Sequence, residues 1–518
     1  MMRRLFSLVV FSTLLAGCSP VAQPSSRSTP TLSRPVITPV FETATPVPSA
    51  TATALPTPTP LPSTTTPFYR LRIEYTTTSP WTRLSLESSE GILTARLINV
   101  QGDPGTADVS SSPKGDLTLQ LNRVQQDMWL EQPWSIGMTV DIALDPQSID
   151  RPLQFRLEKG AWLQSMVRIY LYDRGRQLLI KEFRQTEELG RFSVNLSSLQ
   201  QATPSKREIP ARVPQHMLWA FYFPWYRGDV RGWGGWLDPM YTDRPLEHYA
   251  CENPRSVRRQ IALAQQAGID GFIVEMGGQG PDSPCVANML DIAAEQGFNV
   301  TFYVAAIDYG QVTEPKADPV GFNSVYSVVS YALRTYGDHR AFMRVNGKPL
   351  IIFHRSQVIS TDTWATLFER LRSEGLDATY WGEGYNIGLF NIFDGTHQFG
   401  LDPSANMNTI YSNFGRIAQN YALLDDSVPH KMWAASVMPG FDNTPLVRWF
   451  GWPHVLIPRD NSAFYRSAFQ AAIESSADWI FITSWNEFQE NSHIEPSEAY
   501  GDEYLRITRE YADRWRAP

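Results

Sequence analysis

From about residue 215 to the C-terminus, apolar strand-like runs alternate with amphipathic helical stretches, and no other feature constrains the fold as much. The runs are Met217–Phe223, Gly271–Glu275, Val300–Ala305, Pro349–His354, Ala378–Gly382, Gly395–Phe399, Lys431–Val437 and Trp479–Thr483. Between them, Pro254–Ala267, Cys285–Gln296, Thr361–Glu374 and Ser462–Glu474 carry apolar residues at helical spacing. A last stretch, Tyr500–Trp515, places Tyr500, Tyr504, Ile507, Tyr511 and Trp515 on one face. Eight such units across residues 215–518 predict an α/β fold of the (β/α)8 barrel type, because each parallel strand needs a crossover helix and eight strands close the sheet. A doubly wound open sheet is the alternative, but no Gly-rich dinucleotide or phosphate loop follows the first strand.

Residues 68–199 follow a different period. Leu117–Asn122, Met138–Leu144, Leu153–Leu157 and Val167–Tyr172 alternate apolar and polar residues, with turn residues at short spacing. This predicts an all-β sandwich of about eight to ten strands. Two readings of it stand open. It is a carbohydrate-binding module in which Trp81, Trp129, Trp134 and Trp162 form a platform, or a structural spacer packed on the barrel with those rings in its core. Residues 200–214 read as a linker.

Ahead of the sandwich, residues 18–67 hold 12 of the chain's 38 prolines and only Arg27, Arg34 and Glu42 as charges. Such a segment buries too little apolar surface to offset its ordering entropy and reads as a disordered, extended spacer. Residues 1–17 have a basic start at Arg3 and Arg4 and a short apolar run, the pattern of an export signal. The Leu15-Ala16-Gly17-Cys18 ending resembles a bacterial lipobox, which implies cleavage before Cys18, lipidation there and attachment to a membrane. No later segment has about 18 uninterrupted apolar residues.

A formal net charge of −8 argues against a nucleic-acid partner, which calls for a basic stripe. Three cysteines are too few for a disulfide scaffold or a multi-cysteine zinc module. Cys251 and Cys285 fall on neighbouring loops, and in an oxidising compartment a disulfide and two free thiols are both open. The histidines lack a His-Glu-x-x-His pattern, so neither a metal nor a cofactor is expected. Nothing in the sequence sets the oligomeric state.

In a barrel, chemistry sits at the C-terminal ends of the strands. After the first run come Tyr222, Trp225, Tyr226 and Trp236, rings suited to stacking on sugar faces or to closing the barrel top as a hydrophobic cluster. Glu275, Asp308 with Tyr309, His354 with Arg355, and Glu383 with Tyr385 follow the next four runs. After the eighth comes Thr483-Ser-Trp-Asn-Glu-Phe-Gln-Glu-Asn-Ser-His-Ile-Glu-Pro496. Glu487 and Glu490 stand three apart, so on a helical turn they are neighbours about 5–6 Å apart at Cβ. Glycoside hydrolysis needs two carboxyl groups at one anomeric centre, one protonated and one ionised. Mutual repulsion of close carboxylates supplies that split. Trp485 and Asn486 flank the pair and join the expected site.

Phe221-Tyr-Phe-Pro-Trp-Tyr226, Ala435–Thr444 and Ser484–Glu490 with Ile494-Glu-Pro496 together resemble the glycoside hydrolase family 99-like (endo-α-mannosidase-like) domain, over residues 215–518. That family's last motif reads Asn-Glu-Trp-His-Glu-Gly-Thr, and Glu487 and Glu490 match its two carboxylates. The resemblance implies that Glu487 deprotonates the sugar 2-hydroxyl, which displaces the leaving group through a 1,2-anhydro intermediate. It also implies that Glu490 protonates the leaving oxygen and then activates water, with net retention. Phe488, Gln489 and Asn491 depart from the pattern at its Trp, His and Gly, so mannan specificity does not carry over. The expected function is a lipid-anchored extracytoplasmic retaining glycosidase acting on a polysaccharide or glycan. A non-catalytic glycan-binding lipoprotein and a polysaccharide-modifying or assembly factor are the alternatives.

Overall fold

The structure, a computed structural model, describes residues 63–517 apart from 88–90, 103–104, 112–115, 124–134, 161–162, 211–214, 277–282, 305–321, 357–358, 360, 404–405 and 426–430. Residues 1–62, on which the expected export signal, Cys18 and most of the expected spacer fall, and Trp129, Trp134, Trp162, Asp308 and Tyr309 lie outside the described residues.

The N-terminal domain is a pair of antiparallel sheets. One runs in the order Ile92–Gly102, Ile136–Leu144, Ser63–Thr77, Ser165–Asp173, Arg176–Gln185. The other runs Leu189–Val194, Leu153–Lys159, Trp81–Leu86, Leu117–Arg123, Gly105–Ser111. The period-two pattern does what it predicts: Leu71, Ile73 and Tyr75 from the first sheet share a buried core with Leu84, Leu119 and Leu157 from the second. Its boundaries are wider than expected. Residues 63–67 and 205–210, read as spacer and linker, pair as antiparallel strands from Ser63 opposite Pro210 to Phe68 opposite Ser205. The pairing uses backbone groups, which leave no hydrophobic trace in a stretch of Thr, Lys, Arg and Glu. Trp81 is 42% exposed, so it is not a core ring.

The C-terminal domain is the expected barrel, with parallel strands β1 (Met217–Tyr222), β2 (Gly271–Glu275), β3 (Asn299–Val304), β4 (Lys348–Phe353), β5 (Thr379–Glu383), β6 (Gly395–His397), β7 (Met432–Val437) and β8 (Trp479–Ile482). The sheet closes because β8 pairs β1 (Met217 opposite Trp479) as well as β7. Alternate residues on each strand face different cores. Trp219, Phe221, Ile273, Ile352, Trp381 and Phe481 fill the interior. Leu218, Ala220, Tyr222, Phe272 and Val274 face the helical layer. Among the described residues, the segment between β5 and β6 carries no α-helix, only a 3₁₀ turn at Ile387–Asn391.

The sandwich covers that gap. Asn386 Nδ2 donates to Asp108 Oδ1 at 2.5 Å while its Oδ1 accepts from Val109 N at 3.2 Å. Asn391 Nδ2 donates to Leu97 O at 2.7 Å, Thr94 Oγ1 to Ile417 O at 2.7 Å and Arg207 Nη1 to Ala422 O at 2.6 Å. Burial between the domains pushes the Asp108 carboxyl above its usual range. Of the two readings of the sandwich, this favours the packed structural domain. The last helix, Glu503–Arg516, buries Tyr504, Ile507, Tyr511 and Trp515 as the periodicity predicts. Tyr500 falls outside it, beyond the turn at Gly501, whose φ is +54°.

Candidate functional site

The segment after β8 folds back across the barrel mouth. Trp485 N donates to Phe221 O at 2.8 Å, and the Asn486 side chain brackets Phe223, accepting from its N at 2.8 Å and donating to its O at 3.0 Å. These bonds pin the β8 loop to the β1 loop. Ser484 Oγ accepts from Glu487 N at 2.8 Å, and Ser492 N closes the turn on Glu487 O at 3.2 Å. Glu487 and Glu490 thus share a tight turn rather than a helix, and each lies within the field of the other.

Burial pushes the Glu487 carboxyl well above the usual range, and the charges of Glu490 and Glu275 add to the shift. Glu490 is partly open to the mouth. Burial pushes its carboxyl up to about 7, against the pull of His354. The pair therefore keeps a proton near neutral pH, as acid–base chemistry requires. Gln489 ties this pair to the aromatic wall. With its amide oriented so that donors meet acceptors, the nitrogen donates to Glu487 Oε1 and Tyr226 OH, each at 2.7 Å. The oxygen accepts from Trp225 Nε1 at 2.9 Å and Tyr241 OH at 3.1 Å.

The facing wall comes from β3, β4, β5 and β6. His354 Nδ1 lies 2.9 Å from Glu383 Oε2 and also meets the Tyr303 hydroxyl. Glu383 further accepts from Arg355 N at 2.6 Å and Phe399 N at 3.2 Å. Burial alone would raise the Glu383 carboxyl, but His354, His397 and these donors bring it down to about 2. His397 is held neutral, burial taking it down to about 4, with its Nε2–H donating to Phe353 O at 3.1 Å. Phe221, Tyr303 and Phe399 make an aromatic floor, with ring centres 4.7 Å and 5.0 Å from Phe221.

Not every residue singled out from sequence reaches this site. Glu487, Glu490, Glu275, His354, Glu383 and Trp225 gather at the mouth, and the Arg355 backbone joins them through its bond to Glu383. Tyr226 and Trp236 are buried scaffold: they stack at 4.1 Å, Tyr226 OH donates to Asn486 O, and Trp236 Nε1 donates to Tyr249 O. Asn486 spends its amide on Phe223 and Tyr249, so it positions the loop rather than contacting a ligand. Tyr222, Trp485 and Tyr385 are corrected outright. Strand alternation turns Tyr222 toward Gln260, at 2.9 Å. Trp485 is fully buried against Phe272, and Tyr385 packs on Tyr411, Phe414 and Trp433. Tyr241, Tyr303, His397 and Phe399 were missed. The position of His397 and Phe399 at the end of the sixth run was the available signal.

The departures from the motif also find places. Phe488 stacks on His493 at 3.9 Å and meets Trp236 edge-on. Asn491, at the glycine position, has φ +46°, a conformation asparagine tolerates better than most residues. Its side chain accepts from Thr242 Oγ1 at 3.0 Å and donates to Asp442 O at 2.8 Å. Cys251 and Cys285 form a disulfide, Cα to Cα 5.2 Å, joining the loop after β1 to the first turn of the helix Pro284–Gln296 that follows β2.

A closed (β/α)8 barrel with two interacting carboxyls on the loop after its eighth strand and an aromatic floor defines the general class, a barrel protein equipped for acid–base chemistry. Residues 239–513, more than half of the chain, match the model of glycosyl hydrolase family 99. The chain belongs to that family. It is 26% identical over 302 residues to the mouse (Mus musculus) glycoprotein endo-alpha-1,2-mannosidase-like protein, covering 52% of this chain and 64% of that one. It is 25% identical over 258 residues to the rat (Rattus norvegicus) glycoprotein endo-alpha-1,2-mannosidase, covering 44% and 52%. The match thus spans less than two thirds of the length of these relatives. A family 99 endo-alpha-mannosidase structure from Bacteroides thetaiotaomicron aligns at 24% identity with a TM-score of 0.47, covering 59% of this chain and 100% of that one.

Proposed function

We propose that this protein is a retaining glycosidase that cleaves O-glycosidic bonds in a polysaccharide or glycan. The observation that carries the reading is the interacting pair of buried Glu487 and half-buried Glu490 at the barrel mouth, both carboxyls raised. Glu487 takes the proton of the sugar 2-hydroxyl, and that oxygen bonds to the anomeric carbon as the glycosidic C–O bond breaks. Glu490 gives its proton to the leaving oxygen. Glu490 then takes a proton from water, which opens the 1,2-anhydro ring at the anomeric carbon, and Glu487 returns the proton to O2. Two inversions give net retention.

These roles need the proton on Glu490 and the charge on Glu487, whereas burial alone favours the reverse. The Gln489 N–H at 2.7 Å from Glu487 Oε1 favours the ionised form there. The donating 2-hydroxyl of a bound sugar adds to it. Trp225, Glu275, His354, Arg355 and Glu383 are the substrate contacts in this reading. Names of the relatives make α-mannosides the first compounds to assay, beside other α- and β-linked glycans. Glu487→Gln and Glu490→Gln are each expected to lose turnover, and wild-type turnover in both would overturn the assignment.

Export with lipidation at Cys18 completes the proposal and places the enzyme on a membrane, held out by the spacer. Mass analysis of the mature N-terminus is expected to find a diacyl or triacyl cysteine at residue 18. An unmodified chain still carrying residues 1–17 would refute it.

A further inference from the structure

Aromatic rings continue outward from the carboxyl pair onto a loop the proposed chemistry leaves unused. Trp225, bonded to Gln489, lies 6.1 Å from Trp233 between ring centres. Trp233 is 5.6 Å from Phe450 and 6.3 Å from Trp449, and Phe450 stacks on Trp452 at 5.0 Å. Trp449 is 41% exposed, and Trp233, Phe450 and Trp452 are partly open. A contiguous row of large rings facing water marks a surface that something covers.

The rings are held in place before any ligand arrives. Gly234, with φ +74°, leaves no room for a Cβ against the Trp225 carbonyl, and Arg227 Nε donates to Trp233 O at 2.9 Å. On the facing loop, Gly451 at φ +70° ends the helix Thr444–Phe450. Buried Asn443 donates to Pro453 O at 2.9 Å and accepts from Val455 N at 2.8 Å. Arg448 Nη1 reaches Pro239 O and Met240 O, each at 3.4 Å, tying the two loops together. Asp442 N donates to Glu490 O at 2.8 Å, so this loop starts beside the carboxyl pair. Preset rings spare a ligand the cost of ordering them.

We infer that Trp233, Trp449, Phe450 and Trp452 form a platform for a glycan chain, taking the sugar rings that continue outward from the residue held at Glu487 and Glu490. Pyranose C–H faces stack on π-surfaces, and the platform is continuous with the site through Trp225. The inference rests on the glycan reading of that site and makes affinity grow with chain length.

The test uses the full chain carrying Glu490→Gln, so that binding is read without turnover. The probe is an array of gluco-, manno- and galacto-oligosaccharides of graded length. Binding by this parent is expected to strengthen with length. Adding Trp449→Ala and Trp452→Ala is expected to weaken the longest glycans by roughly tenfold per ring and flatten the dependence. Trp449→Tyr is expected to recover part of it, which a folding defect would not produce. A flat length dependence in the parent, or an unchanged one in the variant, overturns the platform. Hydrolysis by the unsubstituted protein is scored separately. Ring-dependent binding without cleavage refutes the glycosidase and keeps the platform, and cleavage without ring dependence does the reverse.

Discussion

Glu490→Gln separates what the carboxyl does for chemistry from what it costs the fold. In the folded chain the Glu490 carboxyl is raised from 4.5 to about 7. Between those values the folded protein holds a proton that the unfolded chain has released, so stability is full below about 4.5 and is lost as pH rises through 7. At about 1.4 kcal/mol per pKa unit the loss reaches about 3 kcal/mol once the group is ionised. Glu490 opens partly to solvent and shares its field with Glu487, so this is an upper bound. Glutamine keeps the shape and never ionises. The variant is therefore expected to melt higher than wild type at pH 8 and level with it near pH 4.5, with no glycosidase activity at either. Differential scanning calorimetry across that range reads the difference directly. A gap between variant and wild type that does not change with pH would refute the argument that burial raises this carboxyl.

Gln489→Leu removes the amide donor to Glu487 and raises that carboxyl further. The rising, base-dependent limb of kcat/KM is then expected to move to higher pH, and an unmoved limb in a pH–rate profile argues against the role given to Gln489. Asn386→Ala strips the inter-domain bonds to Asp108 and Val109 and leaves Asp108 buried without its amide partner, costing about 1–3 kcal/mol. It should show as an earlier first transition in thermal melting. Replacing Cys251 and Cys285 together by serine opens a loop of sequence separation 34 and is expected to cost about 2–4 kcal/mol, with the variant's melting insensitive to added reductant.

The barrel was legible because parallel strands and crossover helices print two periods into the chain, and the closing helix showed its buried face in Tyr504, Ile507, Tyr511 and Trp515. The sandwich was legible for the same reason in its core strands and illegible at Ser205–Pro210, where pairing is backbone to backbone. The carboxyl pair stood out because both members sit in one short segment. Tyr303 lies more than 90 residues from His397 and Phe399, and apart from their place at a strand end little marks an aromatic or a histidine as facing the mouth until the strands are closed around a common axis.

The sequence by itself determined the two domain types, the segment after the eighth strand that carries Glu487 and Glu490, and the rings beside it. Tertiary structure decided which side of each strand those residues face. It turned Tyr222, Trp485 and Tyr385 into the outer packing, made Tyr226 and Trp236 a buried scaffold, and set Gln489 between the carboxyl and the aromatic wall. It also placed the sandwich in the gap left between β5 and β6. The reason is geometric: local periodicity records that a residue is buried. What it is buried against depends on strand register and barrel closure, which join residues hundreds of positions apart.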